Sequence, residues 1–145
     1  MFIVSACLVG TNCKYNGGNN FNKKIYDLVQ QGKAILVCPE QLGGLTTPRD
    51  KCEIIKFREK DKKVVTERGK DVTEEFLKGA DETLKIAKAI KADFAILKSN
   101  SPSCGLGYIY DGTFNNNLVK GNGITAEKLI NNGIRVYNEK NQPFI

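Results

Sequence analysis

Near the amino terminus lies FIVSAC (residues 2–7), a short apolar segment rich in strand-forming residues that stops at a cysteine. The segment 34–37 repeats this arrangement, because it is equally apolar and Cys38 follows it directly. A third apolar segment covers residues 94–97, and Cys104 lies in the loop beyond it. Short apolar runs bounded by loop residues are typical of buried strands. The sequence therefore predicts three core strands, each followed by a cysteine.

Helical patterns separate these strands. Apolar residues on one face predict a helix over residues 21–31, and Gly32 stands where a helix end favours a left-handed residue. A longer helix is predicted from Asp71, because Asp71 and Glu74 have the spacing of a capping box and an apolar stripe follows. A last helix is predicted over residues 125–131.

A small hairpin around residues 54–55 and 64–65 and a fourth strand over residues 134–137 complete the pattern. Apolar strands that alternate with helices predict a mostly parallel sheet covered on both faces. We therefore expect an α/β fold in which residues 1–145 form a single three-layer domain. Its sheet is flanked by helices and carries a small β-hairpin insertion.

Composition narrows the classes of function. The chain has no His, which removes the commonest general base and metal ligand. No signal peptide is evident, and no apolar run approaches the roughly 20 residues that span a bilayer. We expect a cytoplasmic protein without a membrane partner. Five cysteines in a reducing compartment indicate metal binding or catalysis before disulfides.

The formal net charge of +6 suggests an anionic partner such as a nucleotide, an RNA or a phosphate. The simpler interpretation is that lysines solvate helix faces, since basic residues occur at most as adjacent pairs and acidic residues are interspersed. Charge alone does not decide between them, and the sequence makes no prediction of oligomeric state.

Cys7, Cys38 and Cys104 follow three different predicted strands. Ligands of parallel α/β sheets bind outside the carboxyl ends of the strands, so these thiols are expected to meet at one edge. Structural zinc usually takes four ligands from C-x2-C pairs, which are absent here, whereas iron–sulfur clusters are held by Cys thiolates. Spacing leaves both metals open. Cys13 is a candidate fourth ligand, and Cys52 is expected to be incidental.

Candidate acids and bases lie beside these cysteines. Glu40 follows Cys38 across a proline, and Ser101 and Ser103 precede Cys104. Each has a simpler explanation as a solvated loop residue or a turn residue. The Gly-rich segment 42–49 ends in an arginine and allows close backbone approach to a ligand, but it matches no phosphate-binding motif. Aromatic loop residues, Tyr15 and Tyr108, are candidates for stacking on a planar heterocycle.

Several longer motifs occur in order along the chain: SACLVG (5–10), YNGG (15–18), CPEQLGGL (38–45), TPR (47–49), GKDVT (69–73), SPSCG (101–105), IYDG (109–112) and GNGITA (121–126). Over nearly its whole length the sequence resembles the thiouracil desulfidase family of the TudS type, formerly a bacterial and archaeal domain of unknown function. At Asn16 the family often has Asp.

This resemblance implies a [4Fe–4S] cluster bound by Cys7, Cys38 and Cys104, with Cys13 dispensable because relatives can carry a non-thiol residue there. It also implies a catalytic Glu and Ser, of which Glu40 matches the first. The second is either Ser101 or Ser103.

The reaction implied is non-redox desulfuration of thiouracil or its nucleotides to uracil and hydrosulfide, with the substrate sulfur binding the open iron. Relatives that act on thiolated tRNA carry a further C-terminal domain. Since this chain ends at Ile145, we expect a free thiopyrimidine base or nucleotide, and tRNA stays an alternative. A zinc- or cluster-containing RNA-binding module is the rival from another class. A thiol oxidoreductase is disfavoured by the lack of C-x-x-C.

Overall fold

A computed structural model describes residues 1–58 and 61–145 of the chain. Its strands are β1 (Phe2–Ser5), β2 (Ala34–Val37), β3 (Cys52–Arg58), β4 (Asp61–Thr66), β5 (Phe94–Leu97), β6 (Tyr108–Tyr110), β7 (Leu118–Lys120) and β8 (Arg135–Asn138). Its α-helices are α1 (Lys23–Gln31), α2 (Pro39–Leu42), α3 (Thr73–Ala89) and α4 (Ile124–Asn131), and a 3-10 turn covers Ala6–Val9.

The central sheet has the strand order β2-β1-β5-β8, and every adjacent pair in it is parallel. The predicted parallel sheet is thereby confirmed. Because all four strands run in the same direction, their carboxyl ends lie at one edge of the sheet. The segments that follow β1, β2 and β5 therefore converge there, as the ligand-binding edge of such sheets requires.

Helices cover both faces of this sheet. On one face, buried residues of the strands pack with Leu84 and Ala87 of α3 and with Leu129 of α4. On the other face, a second core group joins the sheet to Ile25 of α1 and to Leu8 of the 3-10 turn. Strands such as β1, whose four residues are all buried, are covered by helices on both faces, and these three layers confirm the predicted α/β architecture.

Two antiparallel hairpins complete the described structure. The predicted one pairs β3 with β4, with Ile54 opposite Val64. It packs on the first half of α3 around Phe76. The second hairpin pairs β6 with β7 and was not predicted. In the chain, the β3–β4 hairpin follows β2 and the β6–β7 hairpin follows β5. Both hairpins contribute residues to the wall of the cavity described below.

The end of α1 differs from the prediction. Gly32 has φ −119° and ψ −174°, which is extended backbone, so the expected left-handed conformation is wrong. The residue is small for reasons of space, because a Cβ atom there would lie 2.9 Å from Cε1 of Phe2. The start of α1 also moves to Lys23, where the Asn22 side chain accepts a hydrogen bond from the main-chain N–H of Ile25.

The predicted capping box of α3 is also wrong. The helix begins at Thr73 and its N-cap residue is Val72. Asp71 instead forms an antiparallel bridge with Val65 beside β4, which keeps its backbone outside the helix. Its Oδ1 accepts hydrogen bonds from the main-chain N (2.9 Å) and the hydroxyl (2.6 Å) of Thr73. The carboxylate therefore fixes the entry to α3 without acting as its N-cap.

Candidate metal centre and active site

The three cysteines predicted to meet at the sheet edge line one cavity of about 320 Å³. Cys7 lies in the 3-10 turn that follows β1 directly. Cys38 follows β2 and is the N-cap residue of α2, where Pro39 takes the first helical position. Cys104 lies in the loop after β5 and is buried. Three different strands therefore deliver three thiols to a common space.

Two further thiols line the same cavity. Cys13 is only 3% exposed, and Cys52, at the start of β3, is also buried. Cys13, the candidate fourth ligand, thus lies in the same cavity as the three predicted ligands. Cys52 was expected to be incidental, and nothing at the strand ends predicts its position, since β3 belongs to the hairpin. All five cysteines are free thiols.

The protonation of these thiols depends on burial and on mutual contact. A hydrogen bond from the Cys13 thiol lowers the pKa of Cys38 to about 6, and the same contact raises the pKa of Cys13. Burial raises the pKa of Cys104 to about 12. Burial also raises the pKa of Cys7, although a hydrogen bond with Asn20 opposes the shift. Buried thiols that must be deprotonated for metal binding need the positive charge of a metal beside them.

The donor set fits an iron–sulfur cluster. It consists of thiols without any imidazole, which is the ligand set of [4Fe–4S] clusters. Among residues 1–58 and 61–145, no group of three or more His, Cys, Asp or Glu side chains has the arrangement that would hold a single metal ion. The ligands of a four-iron cluster bind different irons, so they lie farther apart than the ligands of one zinc ion.

Glu40 is the carboxylate beside the thiols. It lies in the first turn of α2, two residues after Cys38, and lines the cavity. Its Oε2 accepts a hydrogen bond from Nη2 of Arg49 at 3.0 Å, and the two side chains are 19% and 6% exposed. In the sequence this arginine stands out only as the end of a Gly-rich segment. Its ion pair with Glu40 depends on the path of the intervening loop, which no spacing rule predicts.

The two candidate serines have different surroundings. Ser101 lines the cavity, and its Oγ accepts hydrogen bonds from the main-chain N of Ser103 (3.1 Å) and of Cys104 (2.7 Å). Ser103 is 1% exposed, and its Oγ lies 2.9 Å from the hydroxyl of Thr125 at the start of α4. Ser101 thus presents its side chain to the cavity, while Ser103 joins the loop to a helix.

A polar network that the sequence did not predict lies at the ends of β5 and β8. Lys98 and Ser99 line the cavity, and Nζ of Lys98 lies 3.1 Å from Oε2 of Glu139. The Ser99 hydroxyl donates to the same carboxylate at 3.1 Å. Ser5, at the end of β1, donates its hydroxyl to the thiol of Cys104. The strand-end rule that located the cysteines would have found Lys98 and Ser99 as well.

The aromatic residues differ in part from the prediction. Tyr15 lines the cavity as expected. Tyr108 was expected on the same rim, but it is 52% exposed and the neighbouring Tyr110 takes the place in the cavity wall. Residues two apart in a strand share a face, so both tyrosines lie on the side of β6 opposite the buried Ile109, and only Tyr110 reaches the cavity wall. Nζ of Lys51 lies 5.0 Å from the Tyr110 ring centre.

No helix in the described part of the chain is long and apolar enough to cross a membrane. A thiol-lined cavity at the carboxyl ends of parallel strands, with a carboxylate at its wall, is typical of an enzyme that uses a metal centre. The family model of 2-thiouracil desulfurase matches residues 2–141. The chain belongs to the 2-thiouracil desulfurase family.

Individual relatives agree with this assignment. The chain is 48% identical over 144 residues to the uncharacterized protein YbbK of Bacillus subtilis (strain 168), an alignment that covers 96% of this chain and 95% of that protein. It is also similar to a solved structure described as the [4Fe-4S]-dependent thiouracil desulfidase TudS. That match has 42% sequence identity and a TM-score of 0.88, and it covers 98% of this chain and 92% of the other.

Proposed function

We propose that this protein is a [4Fe–4S]-dependent desulfidase that converts thiouracil-type pyrimidines to uracil-type products and hydrosulfide. The observation that carries the proposal is the convergence of Cys7, Cys38 and Cys104 on one cavity whose wall contains Glu40. The family membership and the likeness to the thiouracil desulfidase support the same reaction.

Cys7, Cys38 and Cys104 would hold the cluster. When bound by three protein ligands, such a cluster supplies an iron with an open coordination position, a Lewis acid suited to the soft sulfur of a thiocarbonyl. Cys13 and Cys52 are proposed to line the site without being required as ligands. The overall reaction exchanges the thiocarbonyl sulfur for the oxygen of water, so the substrate is neither oxidised nor reduced.

Glu40 is the proposed general base. Its Oε2 is held by Arg49, while Oε1 has no hydrogen-bond partner among the described residues and is free to take a proton from water. That water would then attack the ring carbon that carries the sulfur. A general base typically contributes about 10²–10⁴-fold to the rate.

Ser101 is the proposed catalytic serine in preference to Ser103. Its Oγ already accepts two main-chain N–H groups, so its single proton stays available for donation toward the cavity. A donor there would orient the attacking water or the substrate. Ser103 lacks this freedom because its hydroxyl pairs with Thr125 in the protein interior.

The cavity volume supports a small substrate. The cavity of about 320 Å³ is near the lower end of the range for small-molecule sites, and the cluster would fill part of it, so the remaining space suits a free thiopyrimidine base, or a nucleotide whose phosphate extends outward. Lys14, Lys51 and Lys98 in the cavity wall would favour an anionic group on the substrate. Thiolated tRNA is the alternative substrate. We also propose that residues 1–145 act as a single domain in the cytoplasm, where thiols stay reduced.

The first prediction tests the cluster ligands. Anaerobic reconstitution with iron and sulfide should give a brown protein that releases hydrosulfide from thiouracil. Ser replacements of Cys7, Cys38 or Cys104 should each lose most of the bound iron and all measurable hydrosulfide release. Cys13→Ser should retain both, and Cys52→Ser is the matched control for removing a buried thiol from the same cavity. Iron analysis, absorbance spectra and hydrosulfide assays give the readouts.

Contrary results are equally specific. A reconstituted protein that binds zinc and no iron would contradict the proposed cofactor. Loss of hydrosulfide release in Cys13→Ser, together with loss of iron, would make Cys13 a required ligand. Removing the cluster with a chelator should abolish hydrosulfide release, and reconstitution should restore it.

A further inference from the structure

We propose that Arg49 is a positioning residue that fixes the Glu40 carboxylate in the orientation the reaction needs. This inference rests on the proposed function, because it assumes that Glu40 is the base. It concerns a residue that does not need to touch the substrate. Arg49 is fixed by several hydrogen bonds, is buried, and leaves one carboxylate oxygen of Glu40 free.

Four side-chain hydrogen bonds hold the guanidinium. Nη2 donates to Oε2 of Glu40 at 3.0 Å and to the carbonyl oxygen of Cys13 at 2.9 Å. Nη1 donates to the carbonyl oxygen of Thr46 at 3.2 Å and to the hydroxyl of Thr47 at 2.9 Å. The main-chain N of Arg49 also donates to the carbonyl oxygen of Tyr15 at 2.8 Å. One residue therefore joins three segments: the loop after Cys7, the helix α2, and its own loop.

Burial distinguishes the Arg49–Glu40 ion pair from ion pairs at the protein surface. The Arg49 side chain is 6% exposed and that of Glu40 is 19% exposed. The Lys23–Asp27 pair, by comparison, is 77% and 49% exposed. Water screens exposed pairs, and their long side chains lose entropy when fixed, so such pairs order little. The Arg49–Glu40 pair lies where screening is weak and where the guanidinium cannot turn away from its four acceptors.

The arrangement constrains only one of the two carboxylate oxygens. Arg49 binds Oε2, and Oε1 has no hydrogen-bond partner among the described residues. Helix α2 has four residues, so its own backbone gives Glu40 little support beyond the Cα position. Without Arg49 the side chain would be free to adopt other rotamers. The guanidinium therefore selects the one in which Oε1 stays available at the cavity wall.

A competing role for Arg49 is direct substrate binding. The cavity lining includes Arg49, and its Nε is buried without a hydrogen-bond partner among the described residues. A substrate acceptor at Nε would make Arg49 a binding residue, whose loss raises KM. A positioning residue instead lowers kcat with little change in KM, because it affects the transition state through Glu40. The two roles thus predict different kinetic changes.

The test compares Arg49→Ala, Arg49→Lys and the matched control Arg68→Ala, all reconstituted anaerobically. Arg68 is an exposed arginine that pairs with Asp50, outside the cavity. We expect Arg49→Ala to lower kcat for thiouracil about ten- to a hundredfold, part of the usual contribution of a general base, with KM changed less than about threefold. Iron content should equal that of the wild type. Arg49→Lys keeps the charge but cannot make the four hydrogen bonds, so its kcat should lie between that of Arg49→Ala and that of the wild type.

Two further measurements isolate the connection to Glu40. Guanidinium ion added to Arg49→Ala should restore part of kcat, and Arg68→Ala should not respond. In the Glu40→Gln background, Arg49→Ala should lower kcat by less than about threefold more, since residues that act through one group are not additive. A crystal structure of Arg49→Ala should show the Glu40 carboxylate displaced from its wild-type position. If Arg49→Ala does not fold, Arg49→Lys provides the same comparisons.

The proposal is overturned by a raised KM with unchanged kcat, by loss of iron as the cause of inactivity, or by full additivity with Glu40→Gln. An undisplaced Glu40 in the variant crystal also overturns it. Failure of the proposed function looks different: the wild type itself would release no hydrosulfide, or Glu40→Gln would keep full turnover. The crystallographic comparison of Glu40 then still tests the positioning by Arg49.

Discussion

Ser101 and Ser103 lie two residues apart, yet their hydroxyls contribute to different parts of the molecule. Ser103 pairs with Thr125 in the interior and so joins the loop after β5 to α4. Ser101 accepts the main-chain N–H of Cys104 and faces the cavity. This hydrogen bond to the main chain of Cys104 helps to keep the Cys104 thiol in place. The two serines can therefore be separated by experiment.

We predict that Ser103→Ala lowers the free energy of unfolding by about 1–3 kcal/mol, because the buried Thr125 hydroxyl loses its partner. Hydrosulfide release should stay within about twofold of the wild type, since the Ser103 hydroxyl pairs with Thr125 and Ser103 does not line the cavity. Ser101→Ala should instead lower turnover at least tenfold, as loss of a proton donor does. Urea unfolding and steady-state assays give the two readouts. The reverse pattern would assign the catalytic role to Ser103.

Sequence rules locate part of this site and miss the rest for a physical reason. Cys7, Cys38 and Glu40 follow strand ends, and parallel pairing brings strand ends together whatever the loops do. The contact between Arg49 and Glu40 depends on the path of a loop, and the choice between the serines depends on burial. Neither is encoded in spacing. Family resemblance names a serine and a glutamate without placing either in space.

The element that carries Glu40 is held by another helix. Helix α2 packs against α3 through two glycines, Gly43 just after α2 and Gly79 within α3. A Cβ atom on Gly79 would collide with the carbonyl oxygen of Pro39, and one on Gly43 would collide with the carbonyl oxygen of Glu75. The two backbones therefore meet directly. The buried face of α3 thus sets the position of Glu40 as well as the core.

Gly79→Ala is predicted to lower the free energy of unfolding by about 1–3 kcal/mol, the usual cost of overpacking. Replacing Gly by Ala inside a helix would otherwise stabilise it by up to about 1 kcal/mol. The collision should outweigh this gain, because the added Cβ atom meets the main-chain carbonyl oxygen of Pro39, which cannot rotate away as a side chain would. Turnover should also fall, since α2 must shift with Glu40. Thermal and urea unfolding of the apoprotein, with the exposed Lys78→Ala as control, measure the effect. Increased stability would contradict this, because it would show that α2 moves away from the added methyl group at no cost in free energy.

Among the secondary-structure elements, the sequence predicts the strands better than the helix ends. The segments of β1, β2 and β5 are short apolar runs with one interpretation in an alternating α/β pattern. The start of α3 was misplaced because Asp71 pairs with Val65, a contact between elements that no local signal contains. The hairpin of β6 and β7 was missed because its strands have three residues each and β7 is exposed throughout.

The charge of the whole molecule is distributed rather than concentrated. Several basic side chains form ion pairs with acidic neighbours, among them Lys62 with Glu127 and Lys128 with Asp81. Within the cavity wall, Lys98 faces Glu139 and Arg49 faces Glu40. A net charge of +6 is therefore compatible with a small substrate and does not by itself require a polyanion.

Ionic strength separates a small substrate from an RNA. Binding through 6–10 phosphates would weaken by about 10³–10⁵-fold between 50 and 200 mM salt, because the release of counterions that drives binding is less favourable at higher salt concentration. Thiouracil carries little or no net charge at pH 7, so we expect kcat/KM for it to change less than about twofold over that range. Hydrosulfide release from thiouracil, its nucleotide and thiolated tRNA, each at both salt concentrations, is the measurement. A nucleotide should show a modest decrease as salt screens its phosphate from the cavity lysines. Faster release from tRNA at 50 mM salt, with a steep loss at 200 mM, would instead mean that the positive charge of the whole surface binds the substrate.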